Sequence, residues 1–138
     1  MLKLKTKFSQ RDSRWSSKIL GYNAPNSIYT IGNYGCLITA LCNYLNATRT
    51  TEITPDQINE DLKNNNGFTS GSGLLKWDSF LSIFNESYKY TSPWYSEPLT
   101  DYAIDKMKSL LDDGYVLLTE VDFDPTLSGV QMHWVLTI

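Results

Sequence analysis

Residues 36–45 read Cys-Leu-Ile-Thr-Ala-Leu-Cys-Asn-Tyr-Leu. Wound at about 100° per residue, this stretch is apolar on nearly every side. A helix without a polar face belongs in the middle of a domain, with other elements wrapped around it. Its approach, Gly32-Asn33-Tyr34-Gly35, supplies the flexible residues that a tight turn into a buried helix demands. Downstream, Thr54-Pro55-Asp56-Gln57 has the form of a helix start, with Thr as N-cap, Pro at the first helical position and Gln three residues on. That helix stops in Asn64-Asn65-Asn66-Gly67. A third helix is expected after Gly71-Ser72-Gly73, where Leu74, Trp77, Phe80, Leu81 and Phe84 recur at helical spacing. A fourth, from about Thr100 to Asp113, buries Ala103, Ile104, Met107, Leu110 and Leu111 and is closed by Gly114.

Strand patterns lie at the two ends. Residues 2–8 set Leu2, Leu4 and Phe8 on one face against Lys3, Lys5 and Lys7 on the other, which predicts a strand. Gln10 to Asn33 is rich in Ser, Asn, Gly and Pro and reads as an ordered loop. Tyr88 to Tyr95 reads as an aromatic strand leaving into a Pro-containing loop. Tyr115–Val121 and Gln131–Ile138 are dense in β-branched and aromatic residues, with loop chemistry at Asp124-Pro125 and Ser128-Gly129 between them. Helices first and sheet last predict an α+β fold with an antiparallel sheet, in a single domain over residues 1–138. The sequence runs out on an apolar strand, so a strand that would pair with it is expected to be missing.

At 138 residues, 41% hydrophobic and 20% charged, the composition is that of one globular domain rather than a disordered chain. No apolar run approaches the roughly 20 residues of a membrane span. The start alternates charge with apolar residues, unlike a secretory signal, so synthesis in the cytoplasm is expected. Twelve basic and fifteen acidic residues give a net charge of −3 with no basic stripe, which argues against a nucleic-acid partner. Cys36 and Cys42 would stand about 9 Å apart along one helix and about 240° round it, beyond the roughly 7 Å between Cα atoms that a disulfide tolerates. One histidine and two divergent cysteines make no metal ligand set. The chain reads as a free-thiol protein of a reducing compartment.

Chemistry would rest on Cys36 as nucleophile and His133 as base. A cysteine in the first turn of a helix feels the positive end of the dipole and free N–H groups, both of which favour thiolate. The same N–H groups can hold an oxyanion, and a histidine on a strand beside the helix can protonate a leaving amine. The alternative is structural: Cys36 as core filler and His133 bound to a backbone carbonyl. Cys42, among Leu41, Tyr44 and Leu45, reads as core.

Four segments resemble the peptidase-C39-like domains, relatives of the double-glycine leader peptidases in the papain-like cysteine peptidase clan of bacteria and phages. They are Phe-Ser-Gln-Arg-Asp-Ser-Arg-Trp (8–15), Thr-Ile-Gly-Asn-Tyr-Gly-Cys-Leu-Ile-Thr (30–39), Val-Asp-Phe-Asp-Pro (121–125) and Met-His-Trp-Val-Leu (132–136). The resemblance implies a papain-like fold, with the Cys helix packed on a C-terminal antiparallel sheet that is cut short after the His strand. It implies Cys36 as nucleophile, His133 as general base and no cofactor. Gln10 falls where an oxyanion-hole amide would sit, or else braces its loop; Trp15 matches the box as a packing residue. The family's third residue, usually Asp in an Asp-Pro pair on the strand after the His, has no counterpart before Ile138. Asp124-Pro125 precedes the His and is not assigned that role.

The expected activity is hydrolysis of an amide bond in a peptide or a peptidoglycan cross-link, by a protein associated with a virion or a cell wall. Tyr88, Tyr90, Trp94 and Tyr95 would line a substrate groove or, alternatively, pack on the core as a strand. Two other functions compete. One is a catalytically weak or inactive module that binds peptide or wall fragments, or serves as a structural phage or bacterial component. The other is amide transfer through the same Cys–His couple.

Overall fold

The computed structural model describes residues 3–88, 100–122, 124, 126–127 and 132–138. Its elements are α1 (Ile31–Tyr34), α2 (Cys36–Thr48), α3 (Pro55–Asn64), α4 (Trp77–Phe84), α5 (Asp101–Asp112), β1 (Leu117–Asp122) and β2 (Met132–Thr137). Helix α2 lies at the centre, as its sequence demands. Its Ile38, Leu41, Cys42 and Leu45 are buried in one cluster with Trp15, Ile31, Ile58, Leu62, Phe68, Phe80 and Phe84. Helix α3 packs on α2 and on α4. The class is α+β, with five helices and a two-stranded antiparallel sheet among the described residues.

The strand expected over residues 2–8 is not formed among its described residues, 3–8. The alternation itself is real, since Phe8 is buried while Lys3, Lys5 and Lys7 are exposed. What is missing is a neighbouring strand. The side chain of Asn43 takes its place: Phe8 N–H donates to Oδ1 at 2.8 Å, and Nδ2 donates to the Phe8 carbonyl at 3.2 Å. The same device recurs twice. Asn46, which extends α2 past its apolar run, pairs with both the N–H and the carbonyl of Ile53. Fully buried Asn59 accepts from Gly21 N–H and donates to the Ile19 carbonyl. Each carboxamide sets an N–H donor beside a carbonyl acceptor, so it satisfies irregular backbone as a ladder partner would.

The expected helix starts at 54 and 100 are both formed. Gln57 accepts the Thr54 N–H at 2.8 Å, and the Thr100 hydroxyl accepts the Ala103 N–H at 3.3 Å. Helix α4 starts later than its spacing suggests. A bridge between Phe68 and Leu75, with Lys76 N–H on the Gly67 carbonyl, holds residues 74–76 out of the helix and leaves Leu74 exposed. Helix α5 is less buried than expected. Only Ala103 is inside; Met107, Leu110 and Leu111 are half-buried and Ile104 is exposed, because α5 rests on β1 at the side of the domain.

Strands β1 and β2 pair antiparallel, from Leu117 opposite Thr137 to Asp122 opposite Met132. Helix α2 packs against β2, and Leu118 reaches the main core. The ring of Trp134 meets Trp77 of α4 edge-on, with centroids 5.8 Å apart. Most of the aromatic strand expected over Tyr88–Tyr95, residues 89–95, lies outside the described residues; Tyr88 itself is exposed. Among the described residues, no helix is long and apolar enough to cross a membrane.

Candidate active site at the start of helix α2

Cys36 is the first residue of α2, a half-buried free thiol. Its placement depends on Gly35, where the short helix α1 ends and α2 begins. A Cβ at Gly35 would lie 2.5 Å from the Ile31 carbonyl oxygen and 2.8 Å from Ile31 Cγ2, so only glycine lets the two helices abut this closely. Gly35 also brings no side chain to cap α2, and the first turn carries no acidic residue. The N–H groups at the head of a 13-residue helix therefore face the thiol's surroundings without a built-in partner, at the positive end of the dipole.

The loop before α1 is tied to this point. Asp12 organises it: its carbonyl accepts from the N–H groups of Trp15 and Ser16, and its carboxylate pairs with Arg14 through both oxygens. The Arg14 guanidinium and N–H hold the Asp12 carboxyl down at about 2. Trp15 is buried edge-on to Phe8, with its indole N–H on the Ser9 carbonyl at 2.8 Å, a packing role. From there the backbone zips onto α1: Gly32 N–H donates to the Ser16 carbonyl and Ile31 N–H to the Lys18 carbonyl. Gln10 closes the contact, its Nε2 donating to the Gly32 carbonyl at 2.9 Å. The Gln-Arg-Asp and Ile-Gly-x-x-Gly-Cys segments thus meet, and the Gln10 amide is held on Gly32, four residues before Cys36 in the chain.

His133 is the second residue of β2, half-buried and opposite Val121. The structure brings its strand and the Cys36 helix together, since α2 packs against β2. Strand alternation sets His133 and Trp134 on opposite faces, and Trp134 is the one that touches α4. Asp124 is occupied as a turn residue. Its carboxylate accepts the Thr126 N–H at 3.1 Å, while its own N–H donates to Asp122 Oδ1.

Cys42 behaves differently from Cys36. It is fully buried, its thiol donates to the Ile53 carbonyl at 3.2 Å, and burial pushes its pKa up to about 12. Trp94 and Tyr95 lie outside the described residues. No group of three or more His, Cys, Asp or Glu among the described residues is placed to hold a metal ion.

The sequence reading passed over an open depression of about 390 Å³ lined by Arg11, Ser16, Ser17, Gly32 and Asn33. Arg11 follows Gln10, and Gly32 and Asn33 precede Gly35 by three and two residues, but nothing in either segment signals that the two combine. Comparisons with protein families, with curated proteins and with solved structures each gave no match.

Proposed function

We propose that this chain is a thiol peptidase domain of the papain-like, peptidase-C39-like kind, cutting an amide bond in a peptide or a peptidoglycan cross-link. The observation that supports it most is the head of α2. A half-buried thiol stands at the first position of a central helix, behind a glycine N-cap, with the Gln10 amide bound to Gly32 in the segment that leads into it. The packing of α2 against β2 supports His133 as the partner base.

In this reading Cys36 Sγ, as thiolate, attacks the amide carbonyl carbon, and the carbonyl electrons move onto oxygen. That oxyanion is held by the first-turn N–H groups and by the second Nε2 hydrogen of Gln10. The C–N bond then breaks as the His133 imidazolium gives its proton to the leaving amine. The acyl group remains on sulfur as a thioester. Water attacks it, His133 takes the water's proton, and the C–S bond breaks to release a carboxylic acid and the thiolate.

Alkylation by iodoacetamide tests this. In the native protein at pH 7, Cys36 should react well ahead of an ordinary thiol, and His133→Ala should remove the advantage. Amine release from peptide or peptidoglycan fragments, abolished in Cys36→Ala, would then define the reaction. A Cys36 that alkylates no faster than a free thiol of ordinary pKa would overturn the nucleophile, leaving a peptidase-fold module that binds without turnover.

A further inference from the structure

The chain has three arginines, and the structure commits two of them. Arg14 is paired with both oxygens of Asp12, and Arg49 with Glu86 and the Phe84 carbonyl. The Arg11 guanidinium makes no hydrogen bond or ion pair among the described residues, although it stands between the ordered residues Gln10 and Asp12. It lines the depression together with Ser16, Ser17, Gly32 and Asn33. The floor is rigid. Gly32 is held by Ser16 and Gln10, and Asn33 is fixed by Nδ2 on the Ile28 carbonyl at 2.9 Å. Two serines therefore share a braced concavity with an uncommitted guanidinium, and its Gly32 lies four residues ahead of Cys36 in the chain.

A guanidinium presents two parallel N–H donors in a fork that matches a carboxylate, and hydroxyls beside it take the remaining lone pairs. We propose that this depression is a carboxylate subsite. Arg11 takes a free carboxylate of a peptide ligand, with the hydroxyls of Ser16 and Ser17 beside it. The ligand class is a short peptide with a free carboxylate near the bond presented to Cys36, as the stem peptides of a cell wall carry. The placement of the bond rests on the reading of Cys36 as nucleophile; the capture of the carboxylate does not.

The test uses the full chain carrying Cys36→Ala, so that no probe is consumed. Calorimetry compares Nα-acetyl-Lys-D-Ala-D-Ala as the free acid with the same peptide as its C-terminal amide. The free acid should bind about tenfold more tightly, the scale of one charge-assisted pair at an accessible site. Adding Arg11→Gln should bring the two peptides level, and Arg11→Lys should restore part of the difference, because charge returns without the fork. Arg11 is exposed, so an unchanged unfolding midpoint verifies that the variants fold. Equal binding of acid and amide, binding of neither, or a preference that survives Arg11→Gln overturns the subsite. Alkylation of Cys36 in the unsubstituted chain reports separately on the nucleophile. A preference for the acid with an inert Cys36 keeps the subsite and removes the peptidase; the reverse result removes the subsite alone.

Discussion

Two thiols six residues apart on one helix have opposite surroundings, and the difference is one of position within the turn. Cys36 heads α2 and is half-exposed, whereas Cys42 is sealed against Ile53 and Asn46. One equivalent of iodoacetamide should therefore be taken up by the native protein at pH 8 and two after unfolding in urea, a count that mass spectrometry gives directly. The buried thiol also makes stability depend on pH. Burial pushes Cys42 from 9.0 up to about 12, and burial together with the neighbouring Glu86 carboxylate pushes Tyr44 from 10.0 to about 12. Above pH 9 the unfolded chain sheds these protons while the folded chain keeps them, so the unfolded state gains. Their contribution is complete below about pH 9 and is lost as pH rises towards 12; urea midpoints at pH 8 and pH 10.5 should show the fall, and Tyr44→Phe should reduce it. Gly35 sets a steric limit beside the same helix. Gly35→Ala drives a methyl group to within 2.5 Å of the Ile31 oxygen and should cost about 1–3 kcal/mol by urea unfolding.

At the scale of elements, the three asparagines explain why the long irregular segments stay ordered. Asn59→Leu fills the same space but strands the Gly21 N–H and the Ile19 carbonyl inside the protein. At about 1–3 kcal/mol for each unsatisfied group, the loss should reach about 2–6 kcal/mol with an unchanged urea m-value. Asn43→Leu should cost less, about 1 kcal/mol, because Asn43 is half-buried where Asn59 is fully buried. These clasps were not legible in the sequence. A carboxamide that bonds Phe8 from 35 residues away leaves no local pattern, and the alternation of Leu4 and Phe8 with lysines is the same whether the neighbour is a strand or a side chain. What the sequence did carry were local signals: Thr54-Pro55 and Thr100 at helix starts, and the apolar wrap of α2. For the site, the Cys36 position followed from the end of that wrap. The meeting of Gln10 with Gly32 and the depression beside Arg11 are products of loop folding, which no periodicity encodes.

Across the whole molecule the contacts divide unevenly. Helices α2, α3 and α4 share one buried cluster, while β1 and β2 pair with each other, carry α5 against β1, and lean on those helices through Leu118, the Trp134–Trp77 contact and the packing of α2. A two-stranded pair is marginal in water by itself, so among the described residues this docking is what supports β1 and β2. The proposed chemistry needs the same docking, because it joins the first residue of α2 to a residue of β2 nearly a hundred positions later. Trp134→Ala removes the edge-on contact with Trp77 and should loosen the pair without emptying the helical core. Hydrogen exchange should then accelerate by about tenfold or more at the amides of residues 117–122 and 132–137, while those of Ile58 and Leu62 in α3 stay near their original rates. Cys36 should lose its alkylation advantage in step with the strands, because a thiolate supported by His133 depends on β2 being seated. Equal acceleration in α3 would mean that sheet and helices open as one unit. Loosened strands beside an unchanged Cys36 would mean that the thiol owes its reactivity to the head of α2 alone.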